Sequence, residues 1–147
     1  MKGIAQRGLG AITIIVVLVV LAGLAAAIVR LNVAAQSMAA QDVLAARAAQ
    51  SARAGLQWGL YQALKGTWTT CSGASSTIDM SSENGMHVTV SCSSTLYNEG
   101  ESSPGVAQTV RIYTLDAVAC NSSTCPDNTI VARPGYVERR WQIHATN

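Results

Sequence analysis

The chain has 147 residues, enough for one small domain with an attached segment, and 49% of them are hydrophobic. Ten basic and eight acidic side chains give a formal charge of +2, and the few basic residues are scattered, which excludes a nucleic-acid-binding surface. Charged residues make up 12% of the chain, about half the usual fraction for a soluble domain, which argues against a freely soluble enzyme.

The first predicted element is an apolar segment of membrane length. Residues 8–29 carry no charge, and Thr13 is the only polar side chain among them. As a helix this segment spans roughly 30 Å, the thickness of the hydrocarbon core of a bilayer. Because Lys2 and Arg7 precede it, we expect a transmembrane helix over residues 9–29 with a cytoplasmic N-terminus and an exported C-terminal part.

This segment has three possible interpretations. The first is a plain single-pass anchor. The second is a secretory signal peptide, because residues 25–27 (Ala-Ala-Ala) offer a cleavage site, although the apolar run is longer than usual for such a peptide. The third starts from Gly8, which directly follows Arg7. A short basic leader that ends in glycine resembles the leader of type IV prepilins, which a prepilin peptidase removes by cutting between Gly8 and Leu9.

The helix is expected to continue beyond the membrane, over residues 30–65. Alanine, the residue with the highest helix propensity, occupies 14 of the positions 22–54, and Gly66 is a candidate C-cap. A coiled-coil stalk is the alternative, but no sustained heptad of large apolar residues occurs. Three leucines form a stripe able to pack on a globular part: Leu56, Leu60 and Leu64. Three glycines are positions where the helix is expected to bend: Gly23, Gly55 and Gly59.

Residues 66–147 are rich in Ser, Thr, Asn and Gly and predict a small β head. Residues 86–93 alternate apolar and polar side chains, as a half-buried strand does. Residues 106–119 and 136–145 predict two further strands. In the last of them three apolar side chains share one face: Val137, Trp141 and Ile143. The predicted fold class is therefore α+β, with a long N-terminal transmembrane and spine helix packed on a small antiparallel sheet of three strands.

Adjacent arginines distinguish the last predicted strand. Arg139 and Arg140 fall on opposite faces of a regular strand, and Glu138 or Asp116 is the expected ion-pair partner. The tryptophans are interpreted as packing residues: Trp58, Trp68 and Trp141.

Four cysteines in the exported part indicate disulfide bonds formed outside the cytoplasm. They allow three pairings. We favour Cys71–Cys92, which joins the loop after the helix to the first strand, and Cys120–Cys125, which closes a short loop after the second strand. A zinc site is the alternative, but the chain lacks paired C-x-x-C spacing.

Elsewhere the sequence offers no catalytic, cofactor or metal site. His87 and His144 are isolated on the polar faces of predicted strands and are interpreted as surface residues. The serines lack an Asp–His arrangement and a G-x-S-x-G turn. Glu83, Glu99 and Glu101 lie in sequence typical of loops, and a calcium site at the last two is the weaker interpretation. We expect no enzymatic activity.

The order of these features resembles the type IV pilin and pseudopilin superfamily, over the whole chain. Within that superfamily the sequence is most similar to the minor pilin-like proteins of the mannose-sensitive haemagglutinin (MSHA) pilus, over residues 19–24, 45–59 and 134–141. The resemblance implies cleavage between Gly8 and Leu9 and N-methylation of the new terminus. It also implies the division of the chain into leader, transmembrane helix, exported helix and β head: 1–8, 9–29, 30–65 and 66–147.

Thr13 departs from the pattern of the superfamily. Most members carry a glutamate at this position, which is understood to pair with the N-terminal amine of the neighbouring subunit in the fibre. An unpaired carboxylate is costly in hydrocarbon, so a subunit that has no such neighbour gains by losing it. We therefore interpret the chain as a subunit that acts in initiation or at the tip of a fibre. The alternative is that Thr13 simply caps the membrane helix, or that assembly tolerates the absence of the glutamate.

As a whole the resemblance implies a structural subunit, a minor pilin or pseudopilin, in the assembly of an MSHA-type pilus that serves surface adhesion. The expected location is the bacterial inner membrane, with the head in the periplasm or, in a fibre, outside the cell. Expected partners are a prepilin peptidase, other pilin subunits contacted through the N-terminal helix, and the pilus assembly platform. Two alternatives stay open: a minor pseudopilin of a type II secretion system, and an unrelated membrane-anchored periplasmic binding module.

Overall fold

A computed structural model describes the backbone of residues 7–147 and the side chains of residue 10, residues 12–32 and residues 35–147. Helix α1 runs from Arg7 to Leu64. It ends where the backbone amides of Lys65 and Gly66 both donate to the Tyr61 carbonyl (2.8 and 3.0 Å). The described chain divides into two units at residue 40, and we call Gln41–Asn147 the globular unit.

The remaining elements all lie in the globular unit. A short helix α2 and four strands follow α1: β1 (Ala74–Met80), α2 (Ser81–Asn84), β2 (Met86–Ser103), β3 (Val106–Cys120) and β4 (Glu138–Thr146). Each strand pairs antiparallel with the next, so the sheet has the order β1-β2-β3-β4. The predicted α+β fold, with a long N-terminal helix packed on an antiparallel sheet, is confirmed.

The sheet differs from the prediction in two places. It has four strands instead of three, because β1, which begins with Ala74 and a run of Ser and Thr, pairs along β2, and its alternate side chains are partly buried. The first predicted strand also continues through residues 94–103, which we had interpreted as a loop. Those residues pair with the first half of β3 around the turn at Pro104 and Gly105.

The main core lies between α1 and one face of the sheet. Alternate side chains of β2 and β3 are fully buried there and pack against small helix residues and Leu56. The core residues of the strands are Met86, Val88, Val90, Cys92, Tyr113, Leu115, Ala117 and Ala119. Leu60 is partly buried against this core while Leu64 is exposed, so the predicted leucine stripe packs over its first two members.

The other face of the sheet is covered in part by residues 121–137. A second, smaller core forms there between Val118, Cys120, Cys125 and Tyr136. The Thr89 hydroxyl donates to the Cys125 carbonyl and fastens this segment to β2. The globular unit therefore has three layers: the helix, the sheet and this segment.

Gly55 and Gly59 let α1 lie close to the sheet. A Cβ atom at Gly55 would meet Val88 Cγ1 at 2.6 Å, and one at Gly59 would meet Val90 Cγ1 at 2.7 Å. Both valines are fully buried and have no room to retreat. The sequence indicates these glycines as weak points of the helix; α1 is helical through both, and the structure gives them a packing role.

Gly55→Ala is expected to destabilise the globular unit although alanine is the better helix former. Overpacking a core costs about 1–3 kcal/mol, and the gain in helix propensity returns up to about 1 kcal/mol. We expect a loss of about 1–2 kcal/mol in the free energy of unfolding. Urea titration of the full chain in detergent, followed by tryptophan fluorescence, measures this loss.

Gly23→Ala is the matched control, because a Cβ atom at Gly23 meets nothing within 4 Å. It should leave the unfolding of the globular unit unchanged. Equal stability of Gly55→Ala and the unsubstituted chain would contradict the packing role.

Candidate functional site

The N-terminal part of α1 exposes a continuous apolar surface. From Ile12 to Leu31 its large apolar side chains are between 50% and 71% exposed. Soluble monomers rarely expose so large a contiguous apolar surface, since its hydration is unfavourable. Among the described residues there is one helix, α1, that is long enough and apolar enough to cross a membrane. By length and composition this segment is a candidate membrane anchor.

The predicted cleavage site lies at the beginning of this helix. Residues 1–6 of the predicted leader are outside the described residues. Gly8 and Leu9 lie in α1, and their side chains are not among those described. Thr13 lies on the exposed apolar segment between Ile12 and Ile14. The cut after Gly8 and the role of Thr13 stay predictions.

The cysteines form the two disulfide bonds that we favoured. Cys71 pairs with Cys92 across a Cα–Cα distance of 5.2 Å, and Cys120 pairs with Cys125 across 5.7 Å. The first bond lies in the main core and fastens the loop after α1 to β2. The second lies in the smaller core on the opposite face of the sheet. Each bond therefore stabilises a different layer of the globular unit.

Aromatic residues position the chain that leaves α1. The rings of Trp58 and Trp68 meet edge to face at 5.1 Å, as the packing role predicted for them requires. The buried Tyr113 donates its hydroxyl proton to the Thr69 carbonyl at 2.9 Å. These contacts hold the loop after the helix against β3.

A buried polar contact positions α2. The Ser51 hydroxyl, 2% exposed, donates to the Arg47 carbonyl and accepts from Asn84 Nδ2, both at 2.9 Å. The Asn84 side-chain oxygen accepts from the Met86 amide at 3.1 Å. Because the Ser51 hydroxyl both donates and accepts a hydrogen bond, its burial carries little desolvation penalty, and the contact fixes the start of β2 against α1.

The two histidines lie on the face of the sheet opposite α1. His144 Nδ1 lies 3.0 Å from the exposed Thr114 hydroxyl. His87 is more buried, and its Nε2 lies 3.3 Å from the Asp79 carboxylate. Its Nδ1 is buried and meets no hydrogen-bond partner among the described residues. No group of three His, Cys, Asp or Glu side chains converges in the described part of the chain as a metal site requires.

Three groups in the globular unit have shifted pKa values. A hydrogen bond from the Ser81 side chain lowers the pKa of Asp79. Hydrogen bonds from the Thr129 and Ser122 hydroxyls lower the pKa of Asp127, because they stabilise the charged carboxylate. Burial, together with a hydrogen bond to the Glu138 carboxylate, raises the pKa of Tyr136. The last two groups order the segment that covers the sheet.

The arginines of β4 lie on opposite faces, as predicted. Arg140 pairs with Asp116 across the sheet at 3.2 Å. Arg139 lies on the same face as Trp141, and its guanidinium donates to the Glu138 carbonyl. On that face Arg53 of α1 lies 4.6 Å from the centre of the Trp141 ring, a cation–π contact that the sequence did not indicate.

The acidic residues are distributed over two elements. Glu83 lies in α2, whereas Glu99 and Glu101 lie in β2. The Glu101 carboxylate accepts a hydrogen bond from the Gly105 amide across the turn to β3. The predicted loop position is wrong for Glu99 and Glu101, because β3 pairs with the residues around Asn98 and Gly100 although these are typical of turns.

A cavity of about 430 Å³ lies between α1 and the segment before β4. Four of its lining residues are charged, two of each sign: Asp42, Glu138, Arg133 and Arg139. A second cavity, about 300 Å³, lies on the outer face of the sheet beside Asp116 and Gln142.

Comparisons of the chain with protein-family models, with curated proteins and with solved structures give no match. The layout itself is pilin-like: a long N-terminal apolar helix over an antiparallel sheet.

The two disulfide bonds are expected to differ in how much they stabilise the protein. Cross-linking lowers the entropy of the unfolded chain more for a longer loop, and the loops span 21 and 5 residues. Replacing Cys71 and Cys92 with alanine should therefore cost about 3 kcal/mol, against about 2 kcal/mol for Cys120 and Cys125. Urea unfolding of the two double variants measures the difference. A larger loss for the second pair would contradict this ranking.

Proposed function

We propose that this chain is a structural subunit, a minor pilin or pseudopilin, that assembles into a fibre through α1. One observation carries the proposal. The exposed apolar segment of membrane length and the helix that packs on the disulfide-bonded sheet are parts of one helix, Arg7–Leu64. A domain that only needed an anchor would not require the same helix to form its core.

The physical requirements of such a subunit match α1. Its exposed apolar surface needs lipid before assembly and the helices of other subunits after it. All backbone hydrogen bonds of a helix are internal, so it can leave the bilayer for a helix bundle without exposing unpaired backbone groups. The many alanines along it permit helices to approach closely.

The finer assignment rests on the sequence resemblance. Within the superfamily we propose that the chain is most like MshP, the minor pilin-like protein of the MSHA pilus, and acts in initiation or at the tip. It would be held in the inner membrane with a cytoplasmic N-terminus and a periplasmic globular unit. A prepilin peptidase would cut after Gly8, and the assembly platform would then add the subunit to the fibre.

The mature N-terminus tests the proposal. We expect mass spectrometry of the chain, co-expressed with a prepilin peptidase, to find an N-methylated Leu9 as its first residue. The same chain expressed without the peptidase should keep residues 1–8. A chain that begins near Ile28 would identify a signal peptide, and an intact Met1 in the presence of the peptidase would identify a plain anchor. Either result would overturn the proposal.

Thr13→Glu tests the proposed position in the fibre. A carboxylate at residue 13 costs about 2.5–3.5 kcal/mol in hydrocarbon unless it pairs with the N-terminal amine of a preceding subunit. We expect this variant to start fibres less often and to move from the tip into the shaft. Counting fibres and locating the subunit by immunogold labelling measures both effects.

Thr13→Ser is the matched control, because it keeps a small hydroxyl side chain at the same position. It should behave as the unsubstituted chain does. Unchanged fibre number and tip position for Thr13→Glu would remove the support for a role in initiation.

A further inference from the structure

Among the described strands, edges are free at several places in the sheet, including the outer edges of β1 and β4. Strand β1 covers β2 only as far as Cys92, and β4 covers β3 only from Ile112 onward. The residues between, 93–111, form a two-stranded extension with a turn at Pro104 and Gly105, which we call the hairpin arm. Strand β4 is the last strand of the sheet, so its outer edge pairs with none of the described strands.

The hairpin arm offers an edge suited to pairing with another strand. Residues 93–103 span about 36 Å, and their outward backbone N–H and C=O groups belong to no ladder within the described chain. Leu96 and Tyr97 are each more than half exposed on this strand. The outer part of the arm, residues 95–109, carries acidic charge only, from Glu99 and Glu101. Its one basic residue, Arg111, lies at the base and donates to Ser94 Oγ.

The outer edge of β4 has the complementary properties. Its nine residues span about 30 Å, and Trp141 remains 40% exposed there. Strand β4 itself carries two arginines, Arg139 and Arg140, against one carboxylate, Glu138, and Arg53 lies beside Trp141. The Glu138 carboxylate accepts from the Tyr136 hydroxyl, and Asp116 of β3 pairs with Arg140.

We propose that the hairpin arm of one copy of this chain pairs along the outer edge of β4 of a second copy. Like charges keep the arm from pairing with another arm and keep β4 from pairing with another β4. The opposite signs favour the mixed pairing. Because Arg139 and Arg140 lie on opposite faces of β4, an arginine meets the acidic side chains of the arm on either face. Leu96 and Tyr97 lie on opposite faces of the arm, so one of them meets Trp141 across the new strand pair.

This contact joins two different surfaces, so each copy keeps one free arm or one free β4 edge and a further copy can add. It concerns edges within the globular unit alone and does not rest on the proposed function. Failure of cleavage after Gly8 would leave it untouched.

Photo-cross-linking of the full chain in detergent micelles tests the proposal. Tyr97 is replaced by p-benzoylphenylalanine, and isotopically labelled and unlabelled chains are mixed so that intermolecular adducts are recognised by mass. We expect adducts from position 97 to residues 138–146 of the other copy. Tyr61, an exposed tyrosine of α1, is replaced in the same way as the control and should give no adduct to those residues. Adducts that map elsewhere, or adducts within single chains only, would overturn the proposal.

Charge reversal separates this pairing from association through α1. Glu99→Lys with Glu101→Lys should lower the yield of the adduct about fivefold, and so should Arg139→Glu alone. Combining all three substitutions should restore the yield, because the signs are complementary again. Arg133→Glu, which makes the same charge change outside β4, should leave the yield unchanged. A combined variant that cross-links no better than the single changes would overturn the proposal.

Discussion

The close contact between α1 and the sheet at Gly55 and Gly59 is the constraint on which the globular unit depends. Without Cβ atoms at these positions the helix backbone lies against the side chains of Val88, Val90 and Leu115. That contact buries alternate residues of β2 and β3 and so fixes their register relative to the helix. The two edge strands, β1 and β4, then pair with β2 and β3, whose inner face is fixed by the contact with the helix.

This contact uses the C-terminal half of α1. The two halves of the helix therefore require different surroundings, one a protein core and the other lipid or other helices. Residues from Leu44 onward contribute small side chains and Leu56 to a protein core. Residues 12–31 expose large aliphatic side chains that require lipid or other helices. In the proposed fibre subunit, the core contact determines where the globular unit begins on the helix, and the apolar segment determines how the subunit is held.

The disulfide bonds and the buried hydrogen bonds stabilise a core that is small. Cys71–Cys92 closes the main core, and Cys120–Cys125 holds the segment over the opposite face. The Asn84 side-chain amide donates a hydrogen bond to the Ser51 hydroxyl where β2 begins. These contacts leave the hairpin arm and the edge of β4 outside the core, where the proposed pairing between copies would take place.

The sequence alone determined the apolar segment, the alanine-rich helix and the α+β class, because each follows from local composition or from order along the chain. The inward-facing apolar residues of the last strand and the placement of its two arginines on opposite faces followed from a period of two. The tertiary structure selected one of the three possible cysteine pairings, and it selected Asp116 as the partner of Arg140. The sequence did not determine β1, the length of β2 or the role of Gly55 and Gly59. Strand β1 is polar and forms only because β2 is beside it, and the turn-rich residues around Gly100 extend because β3 pairs with them. The glycines have a packing role only because buried valines lie opposite them, and that proximity is a property of the tertiary structure.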